Sequence, residues 1–139
     1  MLRKALLLAL AALLAACGGT APQNEITLDL TDFAYSLPSI TVPAGEPVTV
    51  TLVNKGLVEH DFVIEQIDAK MILLQDSGSE AHQAHGEEAD FDVHASAQVD
   101  TTTVIELTIF EPGTYQFFCS VEGHKEAGMI GELIVAAQE

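Results

Sequence analysis

Basic residues are scarce. The 139-residue chain carries 5 Lys and Arg against 21 Asp and Glu, for a net charge of −16. So acidic a surface is repelled by nucleic acid and by anionic lipid. It is drawn instead toward cationic partners, through attraction that salt screens. Cysteine is limited to Cys17 and Cys119. The apolar run from Ala5 to Ala16 falls short of the roughly 20 residues that a membrane-spanning helix needs. The sequence contains no Ser/His/Asp hydrolase signature and no phosphate-binding glycine loop, which argues against the commoner hydrolytic and nucleotide-binding chemistries.

What is present is globular and β-rich. The length fits one domain, and 48% of residues are apolar. Ile26, Leu28 and Leu30 alternate with Thr27, Asp29 and Thr31, the pattern of a half-buried strand. Pro38 and Pro43 bracket a second strand at Ser39–Val42, and Val48, Val50 and Leu52 mark a third. Further strands are expected over 58–64, 101–109, Thr114–Cys119 and Met129–Ala136, separated by turns such as Asn54-Lys55-Gly56 and Glu111-Pro112-Gly113. The fold class this predicts is all-β, an antiparallel Greek-key β-sandwich. Ile67–Gln75 fits a strand or a helical turn. Residues from about 76 to 98 are polar and acidic and are expected to form a long surface insertion, with room for one short helix.

The N-terminus reads as an address. A basic start at Arg3 and Lys4, an apolar core and small residues before Cys17 describe an export signal. Leu14-Ala15-Ala16-Cys17 resembles the bacterial lipoprotein box, which implies lipidation of Cys17. The expected organisation is a signal peptide at 1–16, a lipid-anchored tether at 17–24 and a folded domain at 25–139. The protein would then be a membrane-anchored lipoprotein facing the periplasm or cell exterior. Lipidation of Cys17 would leave Cys119 without a disulfide partner in an oxidising compartment, a liability that a bound metal would remove.

The segment Cys119-Ser-Val-Glu-Gly-His124-Lys-Glu-Ala-Gly-Met129 places a thiol, an imidazole and a thioether at intervals of five residues in one inter-strand loop. Sulfur ligands combined with imidazole select copper, and two His, one Cys and a weak axial Met form the blue-copper electron-transfer set. His60, at the start of a strand after a turn, is the best candidate for the second imidazole. Each residue alone has a plainer reading: a satisfied or exposed histidine, a small buried thiol, a methionine filling the core. Their joint spacing after an aromatic strand favours copper. His82, His85 and His94 in the acidic insertion could capture copper or zinc weakly as a secondary site, or could belong to a solvated loop.

From about Glu25 onward the chain resembles the cupredoxin family, the type 1 blue-copper proteins that include plastocyanin, auracyanin and halocyanin-like members. The resemblance rests on His60-Asp61-Phe62, Gly113-Thr-Tyr-Gln-Phe-Phe118 and the loop Cys119–Met129. It implies one copper ion held by His60, Cys119, His124 and Met129, and single-electron transfer rather than enzymatic turnover. The gap from Cys119 to His124 is longer than in plant plastocyanin and closer to azurin and auracyanin types. Asp61 stands where the family often has Asn, and is expected to accept a hydrogen bond from the amide or hydroxyl of Ser120. By the same analogy His124 is the electron port, and His60 is more deeply buried, with its second ring nitrogen on a backbone carbonyl or water. The residues beside Cys119 are Phe118 and Ser120, whereas multicopper oxidases and copper nitrite reductases commonly have histidine there. Expected partners are redox proteins with a basic docking face, such as a cytochrome or an oxidase subunit. The alternatives are a copper delivery or scavenging lipoprotein and a module that copper merely stabilises.

Overall fold

The computed structural model describes residues 21–78 and 91–138. They form ten strands: β1 (Glu25–Thr31), β2 (Ala34–Tyr35), β3 (Ser39–Pro43), β4 (Pro47–Asn54), β5 (His60–Ile64), β6 (Ala69–Gln75), β7 (Val93–Ala97), β8 (Thr102–Ile109), β9 (Gly113–Phe118) and β10 (Ile130–Ala136). One five-stranded sheet runs β2-β1-β4-β8-β6 and the other β3-β10-β9-β5-β7. Period-two patterning drives their packing. In β4 the buried Val48, Val50 and Leu52 alternate with half-buried Thr49, Thr51 and Val53. In β8 the buried Ile105 and Leu107 lie opposite Val50 and Val48. The core they build is shared with Phe62, Ile64, Phe117, Leu133 and Val135 of the second sheet.

Two features depart from the sequence expectations, and one alternative left open there is decided. The sheets are mixed rather than antiparallel throughout: β1 pairs parallel with β4, and β3 parallel with β10. Alternation fixes which face of a strand is buried but not its direction. Ile67–Gln75 resolves as the strand β6 for most of its length. Val93–Ala97, expected at the end of the surface insertion, is instead β7, paired antiparallel with β5. Its Val93, Ala95 and Ala97 enter the core, an apolar alternation too weak to stand out beside the acidic flank. Cys17, His82 and His85 lie outside the described residues.

The second sheet positions the site. β5 lies between β9 and β7, and all five of its residues are buried. Phe62 and Ile64 belong to the core on one face; Asp61 and Val63 alternate onto the other. His60 opens β5, and Cys119 follows directly after β9. Antiparallel pairing of these neighbours brings the start of one to the end of the other.

Candidate metal centre

The turn before β5 delivers His60. Asn54, at the end of β4, is buried; its Nδ2 donates to the carbonyls of Val58 at 2.7 Å and Ala97 at 2.8 Å. Its Oδ1 accepts from the Gly56 amide at 2.8 Å. One side chain therefore shapes the loop and ties it to β7. Gly56 is required by close approach: a β-carbon there would collide with His60 Nε2 and lie 2.6 Å from Asp32 Oδ1. That space belongs to the His60–Asp32 contact, with Nε2 3.2 Å from Oδ1. The same carboxylate oxygen accepts the Leu57 amide at 2.9 Å. His60 thus meets a carboxylate where a backbone carbonyl or water was expected. With Nε2–H donated to Asp32, Nδ1 is left as the free lone pair facing Cys119. The Leu57 amide, with help from His60, holds the Asp32 carboxyl below its ordinary range. Burial pulls the His60 imidazole down, against the opposing pull of Asp32.

The ligand loop is closed by its own backbone. The Cys119 amide donates to the Met129 carbonyl at 3.1 Å, and the Met129 amide to the His124 carbonyl at 2.9 Å. His124 N–H bonds Val121 O at 3.0 Å, and Gly128 N–H bonds Lys125 O at 3.0 Å. Gly128, at φ +103°, takes a conformation that side chains resist. These bonds fix Cys119, His124 and Met129 relative to one another.

Cys119 Sγ lies 3.5 Å from His124 Nδ1 and 3.9 Å from His60 Nδ1. One ligand atom from each of His60, Cys119 and His124 falls within 4.8 Å of the others, and all three residues are buried. Among the described residues this is the one cluster of three or more His, Cys, Asp or Glu side chains placed to share an ion. Met129 is fully buried, and its backbone is bonded to those of Cys119 and His124. Burial pushes the Cys119 thiol up, while the Asp61 amide, donating to Sγ at 3.4 Å, favours the thiolate. A cation among these donors would supply the missing stabilisation of the thiolate.

Around this centre Asp61 is buried and its carboxylate accepts the Ser120 hydroxyl in a short hydrogen bond. The Tyr35 hydroxyl donates to the Asp61 carbonyl at 2.6 Å. Burial acts to raise the Asp61 carboxyl, but contacts from His94, Ser120 and Ser96 outweigh it and hold the group low. His124 is 7% exposed against 0% for His60, so it is the imidazole nearer the surface. Its ring meets the edge of Phe33 at 5.0 Å. Phe33 is 52% exposed and holds a left-handed φ of 65°. Neither Asp32 nor Phe33 carried a sequence signal as a site residue, since both sit in an ordinary-looking turn distant from every candidate ligand.

His94, considered above for a secondary metal site, is on the edge strand β7, with Nε2 3.7 Å from Asp61 Oδ2. The donors at the main centre suit a soft ion. A thiolate with two imidazoles is the copper combination, and tetrahedral zinc is its competitor.

The chain is similar to several known copper proteins. The copper-resistant cuproprotein CopI of Rubrivivax gelatinosus is 30% identical over 114 residues, covering 81% of this chain and 67% of CopI. Auracyanin-A of Chloroflexus aurantiacus is 26% identical, with 97% of this chain and 96% of that protein covered. The structure of dithionite-reduced auracyanin from Roseiflexus castenholzii superposes with a TM-score of 0.62 at 25% identity, over 84% of this chain and 99% of that one. A Cupredoxin-like domain is matched over residues 4–135, and the chain belongs to the cupredoxin family.

Proposed function

We propose that this protein is a type 1 blue-copper electron carrier. The observation that carries the reading is the convergence of His60, Cys119 and His124 in a buried cluster; the buried Met129, in the same loop, supports it. Copper would supply a reversible one-electron couple there. Cys119, as thiolate, would hold the ion together with His60, His124 and Met129. The protein's own part is rigidity: Asp32 fixes one imidazole, the loop backbone fixes the other, and the Asp61 amide steadies the sulfur. A ligand set with no vacant position leaves no place for a substrate, which supports a carrier over an enzyme. His124, close to the surface and edged by the exposed Phe33, is the port through which a partner would exchange electrons.

Export and lipidation at Cys17, supported by the pattern of residues 1–17, would hold the domain at a membrane facing the periplasm or cell exterior. The net charge of −16 supports a partner with a basic face, a cytochrome or an oxidase subunit. Addition of cupric copper to the purified protein tests the reading directly. An intense blue band that bleaches on reduction, and is missing in Cys119→Ala, is the expected result; a colourless, redox-silent complex would end it.

The similarity to CopI favours a second reading, copper scavenging or delivery. That role requires a labile copper(II) form, tight copper(I) binding and copper-sensitive growth when the protein is lost.

A further inference from the structure

The outer face of the second sheet carries a polar chain that ends at the ligand sulfur. In the β5–β7 register Asp61 lies opposite Ser96 and Val63 opposite His94. Asp61, Ser96 and His94 therefore share one face. His94 Nε2 is 3.7 Å from Asp61 Oδ2 and 3.3 Å from Ser96 Oγ. The imidazole ring is braced by Phe91, which it meets edge-to-face at 5.8 Å; Phe91 in turn meets Phe118, the residue before Cys119, at 5.8 Å. Asp61 is only 4% exposed, and its Oδ1 is buried without a hydrogen bond among the described residues. Its own amide donates to Cys119 Sγ, and its Oδ2 accepts from Ser120, the residue after Cys119.

A buried carboxylate beside the copper thiolate has a large effect. Its negative field favours copper(II) over copper(I), and low local polarity strengthens that field. An isosteric amide would remove the charge and keep the hydrogen bond from Ser120. The chain retains the acid and places an imidazole against it.

We infer that His94 is a positioning residue for the electron-transfer site, holding the Asp61 carboxylate in place and offsetting the charge that it presents to the Cys119 sulfur. The inference rests on the blue-copper reading above. With its proton on Nε2, as the carboxylate beside that nitrogen favours, the imidazole places positive charge next to Oδ2, as a dipole or as a cation. Removing it leaves the carboxylate's field less balanced and shifts the couple toward copper(II). Glutamine at this position reaches a similar point with an N–H donor, and so should restore much of the effect.

The test is a redox titration of the copper-loaded full chain against a mediator of fixed potential. The proteins are wild type, His94→Leu and His94→Gln, each also combined with Asp61→Asn. His94→Leu is expected to move the electron-exchange equilibrium toward the oxidised form by roughly three- to tenfold. His94→Gln should move it less, and Asp61→Asn alone should move it the opposite way. In the Asp61→Asn background the His94→Leu effect should shrink to less than about twofold. Urea unfolding of each variant separates a loss of fold from a shift of the couple. If leucine unfolds the protein, the glutamine variant and Asp61→Asn still carry the cycle. An unchanged equilibrium in folded His94 variants overturns the inference, as does an equal shift with and without the Asp61 carboxylate. Either result leaves a blue wild type, and the carrier reading, intact. A wild type that never turns blue removes both.

Discussion

Gly56→Ala should damage the metal centre without replacing a ligand. The backbone at Gly56 is not in the left-handed region, since the glycines with positive φ are Gly45, Gly78, Gly123 and Gly128 among those described. Its cost is therefore steric. The added methyl would overlap His60 Nε2, lie 2.6 Å from Asp32 Oδ1 and lie 2.9 Å from His60 Cδ2. Restoring an ordinary contact of 3.4 Å moves the Cδ2 edge of the ring by at least 0.5 Å. His60 is fully buried and opens a strand packed on both sides, so the ring has little freedom to yield. Overpacking of this kind costs about 1–3 kcal/mol. The imidazole would also leave Asp32, and loss of such a supporting contact typically lowers metal affinity by about 10–100-fold. Urea unfolding of the copper-free protein measures the first quantity, and competition for copper against a chelator measures the second. Gly45→Ala is the matched control. No atom lies near an added methyl there, so it should cost about 1–2 kcal/mol of backbone strain and leave copper affinity unchanged. Equal copper affinity in Gly56→Ala and wild type would refute the claim that the His60–Asp32 contact sets the site.

Cys119→Ser should abolish the blue band. It should also destabilise the copper-free fold by about 1–3 kcal/mol, because a hydroxyl is left in a site built for sulfur; an optical spectrum and a denaturant titration check the two effects. The copper-free protein should lose stability on both sides of neutrality. Burial holds the His60 imidazole below its ordinary 6.5, so as pH falls below that value the unfolded chain gains a proton that the fold resists. Burial also holds the Cys119 thiol above its ordinary 9.0, so as pH rises past that value the unfolded chain loses a proton that the fold retains. Urea midpoints between pH 5 and 10 should therefore peak near the middle, and His60→Gln should flatten the acidic limb. Phe33→Gly should relieve the left-handed strain and uncover the His124 edge, speeding electron exchange with a small inorganic oxidant in stopped-flow mixing while the colour persists. A slower or unchanged rate would mean that Phe33 does not shield the port.

Much of the site was legible because its residues are chemically rare and regularly spaced. Cys119, His124 and Met129 fall in one loop, and the structure brings His60 and His124 to the sulfur. The strands of the first sheet were legible for a different reason, since Val48, Val50 and Leu52 bury one face and their threonine neighbours do not. Strand direction was not legible: the parallel pairing of β1 with β4 and of β3 with β10 comes from where loops carry the chain. β7 was hidden because Ala95 and Ala97 bury little apolar area and His94 and Ser96 read as surface. Asp32 escaped notice because its role depends on a contact 28 residues away along the chain. Nothing local distinguishes it from any other turn aspartate.

The hydrogen bond between Asp32 and His60 has a mechanical consequence. Asp32 follows β1, in one sheet, and His60 opens β5, in the other. The carboxylate and the ring therefore act as a rivet at one end of the sandwich, and an ion bound to the imidazole would brace it from the second sheet. Prising the sheets apart would first require that rivet to fail. The loaded protein should accordingly outlast the empty one under protease, with its earliest cuts at the end of the sandwich farthest from the rivet.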